Sequence, residues 1–372
     1  MKKQVAIAYV IVFLLLFIFP TCAFELWGDH FDQTNFEKRE PAEKPVFSID
    51  TIEEYPRAYE AYFNDSLPFR NQLITANSLL NLRLFQISAV DYVLFGKDKW
   101  MFYNPVALEN DDPMGDYYGS NLFTPEELDA MASNLIAARD SLNEQGKEFV
   151  VMIAPNKVCM YGDAFLPDDM QRENTYTTAD QVFDYLSAHT DLTVVYPKQQ
   201  LFSAMEQYPD YPFYYKTDTH WNNLGGYIGT QMLLEQVGIA TPPIEEYNVV
   251  ITEKYAGDLA IPLGLQACMK HDNMYVLDDY RKDQIVNESL NYEGSVKVTC
   301  SSTTNADERA FFMIQDSFAA AMMPYLNKQF NTCSFAHIDK FTPDLLQKYP
   351  SDIVVVEVIE RFVWKLMDFK VE

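Results

Sequence analysis

Three segments of this 372-residue chain hold residue types that can do covalent chemistry at workable spacing. Ala310-Phe-Phe-Met-Ile-Gln-Asp-Ser-Phe318 reads as a strand, a short turn and the start of a helix, with Asp316 and Ser317 at the junction. A serine there stands at the carboxyl edge of a sheet. Free backbone N–H groups and the positive end of a helix dipole can stabilise an oxyanion at such a place. The plainer alternative makes Asp316 or Ser317 a helix N-cap. Asp218-Thr-His-Trp221 supplies the groups a serine nucleophile needs: His220 as base, and Asp218 as the carboxylate that fixes the imidazole tautomer. Its alternative is a hydrogen-bonded loop histidine with Asp218 at a helix entry. In the third segment, Pro155-Asn-Lys157 follows a strand, with Tyr161 one helical turn on. The Asn156 amide and the Lys157 ammonium could polarise an acyl oxygen, or form a turn carrying a surface lysine. Glu360-Arg361 after the last strand reads as an ion pair or a helix start.

Other chemistries lack their residues. The chain has no GxSxG, HExxH, P-loop or EF-hand pattern and no CxxC pair, so neither a metal nor a cofactor is expected. The 28 Lys+Arg against 54 Asp+Glu give a net charge of −26, which repels phosphate backbones and makes nucleic acid an improbable partner. The same field disfavours long contacts with a polyanionic polymer.

The elements that must position these residues follow from hydropathy. Short continuous apolar runs at 149–154, 192–196, 310–314, 333–338 and 353–358 read as buried strands. Helical patterns at 179–189, 222–237, 318–327 and 343–349 alternate with them. Thr124-Pro-Glu-Glu127 opens a further helix with an N-cap, a first-turn proline and a capping-box glutamate, and Gly146 stops it. The fold class is therefore α/β, with a mainly parallel sheet covered on both faces and ligands beyond the carboxyl ends of its strands. Residues 91–95 and 100–103 form a predicted hairpin, and 247–302 a strand-rich insertion beside the sheet. Gly225, Gly226 and Gly229 let their helix approach a neighbour closely.

Lys2 and Lys3 before the apolar run Val5–Phe19 read as an export segment, with two outcomes. Thr21-Cys-Ala23 offers a cleavage site, giving a secreted protein, while the run through Phe24 is about long enough to span a bilayer. The anchor is the preferred reading, single-pass in the cell membrane with the remaining chain extracytoplasmic. The domain reading is 1–24 signal peptide or anchor, 25–90 linker and helical extension, and 91–372 catalytic domain. Cys159, Cys268, Cys300 and Cys333 are equally compatible with disulfides and with buried free thiols.

Taken together, these segments resemble the alginate O-acetyltransferase family of SGNH-hydrolase-like proteins, including the exported DHHW proteins of Gram-positive bacteria. Gly96-Lys-Asp-Lys-Trp-Met-Phe-Tyr103 is similar to the family's Gly-Lys-Asp-Gly-Trp-Leu-Phe-Tyr hairpin and Ala154-Pro-Asn-Lys157 to its Pro-x-Lys strand end. Asp218-Thr-His-Trp221, Gln315-Asp-Ser-Phe318 and Glu357-Val-Ile-Glu-Arg361 resemble its Asp-x-His-Trp, Gly-Asp-Ser-Phe and closing Glu-Arg motifs. The resemblance implies a three-layer α/β/α flavodoxin-like fold with a permuted motif order. It implies Ser317 as nucleophile, His220 as base and Asp218 as orienting acid. Asn156, Lys157, Tyr161, Trp221, Gln315 and Arg361 are candidates for the oxyanion hole and substrate contacts. It implies acetyl transfer to hydroxyls of an exported polysaccharide or cell-wall glycan, beside a multi-pass membrane-bound O-acyltransferase as donor. An acetylesterase with the same triad and a catalytically impaired glycan-binding scaffold are the alternatives. Gln315 replaces the family glycine before Asp-Ser, and Thr219 stands where the second residue of the signature is His.

Overall fold

The computed structural model describes residues 2–27, 30, 40–105, 111–304 and 306–371, and the chain divides into two compact units. The first comprises residues 1–90 with 260–269 and is built on helices α1 (Lys2–Trp27), α2 (Tyr55–Asp65) and α3 (Arg70–Phe85). Within it Thr75 donates its hydroxyl to the Gly264 carbonyl at 2.8 Å. Helix α1 exposes Val5, Ile7 and Leu16 among its apolar side chains. Among the described residues no helix is long and apolar enough to cross a membrane, and the side chains of Lys2, Lys3, Phe17, Pro20 and Thr21 within α1 lie outside them. Residues 28–29 and 31–39 of the expected 25–90 linker and helical extension also lie outside.

The second unit comprises residues 91–259 and 270–372. It opens with the hairpin β1 (Val93–Phe95) and β2 (Met101–Tyr103). Helix α4 (Pro113–Tyr118), which the sequence does not announce, precedes α5 (Pro125–Glu144). The Thr124/Glu127 capping box that starts α5 is formed, and Gly146 just past its end takes φ +74°, the left-handed conformation that glycine supplies at a helix stop. The chain then runs through β3 (Glu148–Ala154), α6 (Lys157–Phe165), α7 (Thr178–His189), β4 (Thr193–Val195), α8 (Lys198–Gln207) and α9 (Asn223–Gln236).

Strands β5 (Val249–Tyr255) and β6 (Asp272–Leu277) pair only with each other. By contrast β7 (Asn287–Glu293) and β8 (Val296–Ser302) join the main sheet as an antiparallel edge, so the 247–302 stretch is only partly an insertion. The last elements are β9 (Asp307–Gln315), α10 (Met323–Gln329), β10 (Phe330–His337), α11 (Leu345–Lys348) and β11 (Ile353–Ile359).

The seven-stranded sheet has the order β4-β3-β11-β9-β10-β8-β7, and its first five strands are mutually parallel. Two apolar clusters sandwich it. One holds Val150, Met152, Phe311 and Met313 with α6 and α9, and the other holds Val151, Ile153, Phe312 and Ile314 with α5 and α7. This period-2 division of β3 and β9 between opposite faces gives the three layers. The strand order departs from the flavodoxin order expected. The final strand, β11, lies between β3 and β9 instead of at an edge. Its carboxyl end therefore brings residues 357–361 between Asn156 and Ser317, and that insertion builds the site.

Candidate active site

Three side chains from two distant segments meet at the carboxyl edge of the sheet. Ser317 follows β9, and its Oγ lies 2.7 Å from His220 Nε2. His220 Nδ1 lies 2.6 Å from Asp218 Oδ1, which also accepts the His220 backbone N–H at 3.0 Å. Asp218 Oδ2 accepts the Tyr255 hydroxyl at 2.8 Å and the Asp258 amide at 2.9 Å. The carboxylate is thus held on both oxygens. Burial works against its charge, but the hydrogen bond and charge of His220 outweigh it, and the Asp218 pKa is lowered. For His220, burial pulls the pKa down and Asp218 and Asp258 push it up further, so the net shift is upward.

A tight loop presents Asp218 and His220. It is closed by an isolated β-bridge between Tyr214 and Trp221 and by the Asn222 amide donating to the Phe213 carbonyl at 2.9 Å. Asp272, at the start of β6, accepts the Thr217 amide at 2.8 Å and also the Lys216 amide. The glycines after the loop permit its approach. A Cβ on Gly225 would sit 2.4 Å from the Phe213 carbonyl oxygen, and one on Gly226 2.5 Å from that of Ala321. The Trp221 indole N–H, fully buried, donates to the Phe318 carbonyl at 2.8 Å. That bond ties the His220 loop to the Ser317 turn, a positioning role in place of the substrate contact expected of Trp221.

Lys157 is corrected in the same way. Its Nζ is buried and donates to the carbonyls of Tyr215, Lys216 and Asp218 at 3.0, 3.1 and 2.6 Å, so it clamps the loop and is not available to an acyl oxygen. Burial lowers its pKa to about 8 against the pull of Asp272 and Asp218. Tyr161 is a core residue whose hydroxyl accepts the Phe213 amide at 3.0 Å while its ring stacks on Trp100. The Asn156 amide group is engaged as well. Its Nδ2 donates to Asp116 at 2.9 Å and its Oδ1 accepts from Arg361 at 3.3 Å, while its backbone N–H donates to Glu360 at 2.8 Å.

The segment after β9 is not the helix expected at 318–327. Ser317–Ala321 forms a 3₁₀ turn, and α10 starts only at Met323. A helix dipole consequently contributes little at Ser317. The Asp316 side chain caps this turn, accepting the Phe318 amide at 2.9 Å and the Ile359 amide at 2.6 Å, and among the described residues the Ser317 amide has no acceptor. That N–H beside the exposed Ser317 Oγ can meet an oxyanion.

Beneath the turn, Glu357 is fully buried and accepts the Asp316 amide at 3.1 Å. Burial and the Asp316 charge push its pKa well up. Gln315 buries its amide oxygen without a hydrogen-bond partner among the described residues. Arg361 opens the 3₁₀ stretch Glu360–Asp368, so the helix-start reading describes the backbone, and its Nε also pairs with Asp111 at 3.4 Å. Its guanidinium lies 5.9 Å from the Phe318 ring centre, and that ring lies 4.8 Å from the His220 ring.

Asp258, absent from the sequence reading, accepts the Thr219 amide and hydroxyl at 2.8 and 2.7 Å and lies 3.7 Å from His220 Nδ1. Its 40-residue separation from Asp218 gave no periodic signal. Asp218, His220 and Asp258 gather ligand-type atoms within 4.8 Å of one another, yet a cation there would displace the Nδ1 proton that orients the base. Cys159, Cys268, Cys300 and Cys333 are all free thiols.

Comparison with known proteins adds the relationship. The chain superposes on PatB1 of Bacillus cereus, in a structure with a sulfonyl adduct, with a TM-score of 0.52 and 16% identity over 75% of this chain and 99% of that one. It superposes on a DHHW family protein from Eubacterium siraeum with a TM-score of 0.51 and 14% identity over the same shares, 75% and 99%. These likenesses establish the fold. A probable alginate O-acetylase AlgJ of Pseudomonas syringae pv. tomato is 22% identical over 226 residues, 57% of this chain and 51% of that protein. The chain spans about half the length of the curated relatives it matches. Residues 93–289 match the family described as SGNH hydrolase-like domain, acetyltransferase AlgX; the matched segment includes Asp218 and His220 and stops before Ser317. Because that match takes in more than half of the sequence, the chain belongs to this AlgX-type SGNH hydrolase-like family.

Proposed function

We propose that this protein is an O-acetyltransferase that carries an acetyl group on Ser317 and passes it to a hydroxyl of an exported polysaccharide. In the first half-reaction, Ser317 Oγ attacks the acyl carbonyl of an ester donor while His220 Nε2 takes the hydroxyl proton. Collapse of the tetrahedral intermediate releases the donor alcohol, which leaves with that proton. In the second, His220 takes the proton of an acceptor hydroxyl as that oxygen attacks the acyl-serine, and returns it to Ser317 Oγ. Asp218 holds the imidazole tautomer throughout and stabilises the imidazolium. The Ser317 amide, with Arg361 close by, meets the oxyanion.

The 2.7 Å contact between Ser317 Oγ and His220 Nε2, backed by the 2.6 Å contact to Asp218, carries this reading. Family membership and the O-acetylase relatives support the acetyl group and the polysaccharide. Placement outside the cytoplasm, anchored by α1 and served by a multi-pass membrane acyltransferase, belongs to the same proposal. It is supported by Lys2 and Lys3 ahead of the Val5–Phe19 run.

The test is intact-mass analysis of the full chain in nonionic detergent after incubation with an activated acetyl ester, beside Ser317→Ala and His220→Ala. A single acetyl adduct mapping to Ser317 and absent from both variants is expected. An adduct that persists in Ser317→Ala refutes the nucleophile. Adding an oligosaccharide separates transfer from hydrolysis, since transfer yields acetylated sugar and hydrolysis yields only acetate.

A further inference from the structure

A polar cavity of about 350 Å³ opens beyond the carboxyl ends of β3 and β11, with Arg361 in its wall. Its floor is acidic. Asp116 and Glu360 are buried there, and Asp116 accepts the Thr178 hydroxyl and the Asn156 amide at 2.9 Å each. Burial and the charge of Glu360 raise the Asp116 pKa to about 7. Asp112 lies on the exposed rim, and Phe123 and Trp364 supply two half-buried aromatic walls. Carboxyl groups that engage hydroxyls, set beside rings that cover C–H faces, recognise a sugar. The volume falls at the lower end for small-molecule sites.

We propose that this cavity is the acceptor subsite and takes uncharged sugar residues of a glycan; the proposal rests on the acyl-Ser317 reading above. The charge pattern sets the selectivity. A uronate in the cavity would face Asp112, Asp116 and Glu360, and among the described residues the one cation in its wall is already engaged. Arg361 donates to Asn156 at 3.3 Å and pairs with Asp111 at 3.4 Å. Position fits the chemistry, because the Arg361 guanidinium also packs 5.9 Å from the ring of Phe318, the residue after the nucleophile. A chain seated here projects a neighbouring hydroxyl toward Ser317.

The experiment is calorimetric titration of the full chain, in nonionic detergent, with cellotetraose, chitotetraose and tetramannuronate. An uncharged tetramer binds at least tenfold more tightly than tetramannuronate. Trp364→Leu weakens that binding at least tenfold, and Asp112→Asn narrows the gap to tetramannuronate by admitting the anion. Circular dichroism verifies that each variant is folded, and the rim position of Asp112 keeps the test open if Trp364→Leu does not fold. Equal affinities, no binding of either uncharged tetramer, or folded variants with unchanged preferences overturn the proposal. Acetylation of wild-type Ser317 is read separately. An adduct without sugar binding refutes the subsite alone, whereas sugar binding without an adduct refutes the acyl-serine reading and leaves a sugar-binding cavity.

Discussion

Gly257→Ala is expected to disable the triad while leaving the fold standing. A Cβ at Gly257 would lie 2.2 Å from Asp218 Cβ and 2.5 Å from Asp218 Oδ2. Ordinary contact between such atoms begins near 3.4 Å, so something must move by about 1 Å or more. The Gly257 backbone is not in the left-handed region, and alanine brings no conformational penalty beyond this collision.

Asp218 cannot yield without loss. Its two oxygens hold His220, Tyr255 and the Asp258 amide, and a shift of that size breaks the 2.6 Å contact that orients the imidazole. Misplacing a catalytic group by 1 Å costs about 10²-fold, and losing the correct imidazole tautomer costs about 10⁴-fold in serine proteases. Acylation of Ser317 should therefore fall by between about 10² and 10⁴, or about 2.7 to 5.4 kcal/mol in the barrier. Overpacking should cost about 1–3 kcal/mol of stability. The assay is the rate of Ser317 acetylation followed by mass, with a thermal melt alongside. Gly238→Ala is the control, because Gly238 has φ +78° and open space around it, so only backbone strain is introduced. A folded Gly257→Ala protein acetylated within threefold of wild type would refute the claim that Asp218 orients His220.

The base must be neutral to act, so acetylation should rise with pH through the raised His220 value; an inflection below the ordinary imidazole value in the pH–rate profile would contradict the Asp218 contact. The linkage has the opposite direction. The His220–Asp218 interaction stabilises the fold fully below the unfolded imidazole pKa, and the gain is lost as pH climbs through the raised folded value, which a pH series of melts will detect. Lys157→Met should orphan three carbonyls at about 1–3 kcal/mol each if water does not replace the donor, lowering the denaturation midpoint; an unchanged midpoint would show that the clamp is dispensable. Trp221→Phe removes the indole N–H together with part of the ring's bulk. It should slow acetylation about tenfold and destabilise by about 1–3 kcal/mol through the orphaned Phe318 carbonyl, whereas a purely packing role would leave the rate intact.

Much of this architecture was legible because its signals are local. The apolar runs of β3, β9, β10 and β11, the capping box at Thr124 and the hairpin around residues 96–99 are written in adjacent residues. So are Asp218 and His220, two positions apart, and Ser317 at the end of an apolar run. What could not be read depends on pairings across long separations. The place of β11 between β3 and β9 is not encoded in its own composition, since any of the five valine- and phenylalanine-rich strands could be central. Lys157 looked like a surface or oxyanion lysine because nothing at 155–157 reveals the carbonyls of 215–218 that enclose it. Asp258 and Gly257 carry no pattern of their own and matter only because the chain returns to Asp218.

The central place of β11 also explains how a chain of net charge −26 tolerates so many acids near its serine. Glu357, within β11, and Glu360, just past its end, lie between the segments after β3 and β9 that carry Asn156 and Asp316. Each accepts a backbone amide from one of those segments, Glu357 from Asp316 and Glu360 from Asn156. Had β11 been an edge strand, these carboxyl groups would have faced solvent and the amides would have needed other acceptors. Burial and the Asp316 charge raise the Glu357 pKa beneath Ser317, whereas the Asp218 pKa is lowered against His220. The acids differ in environment, not in type, and that difference lets one carboxylate orient His220 while its neighbours set the backbone from which Ser317 projects.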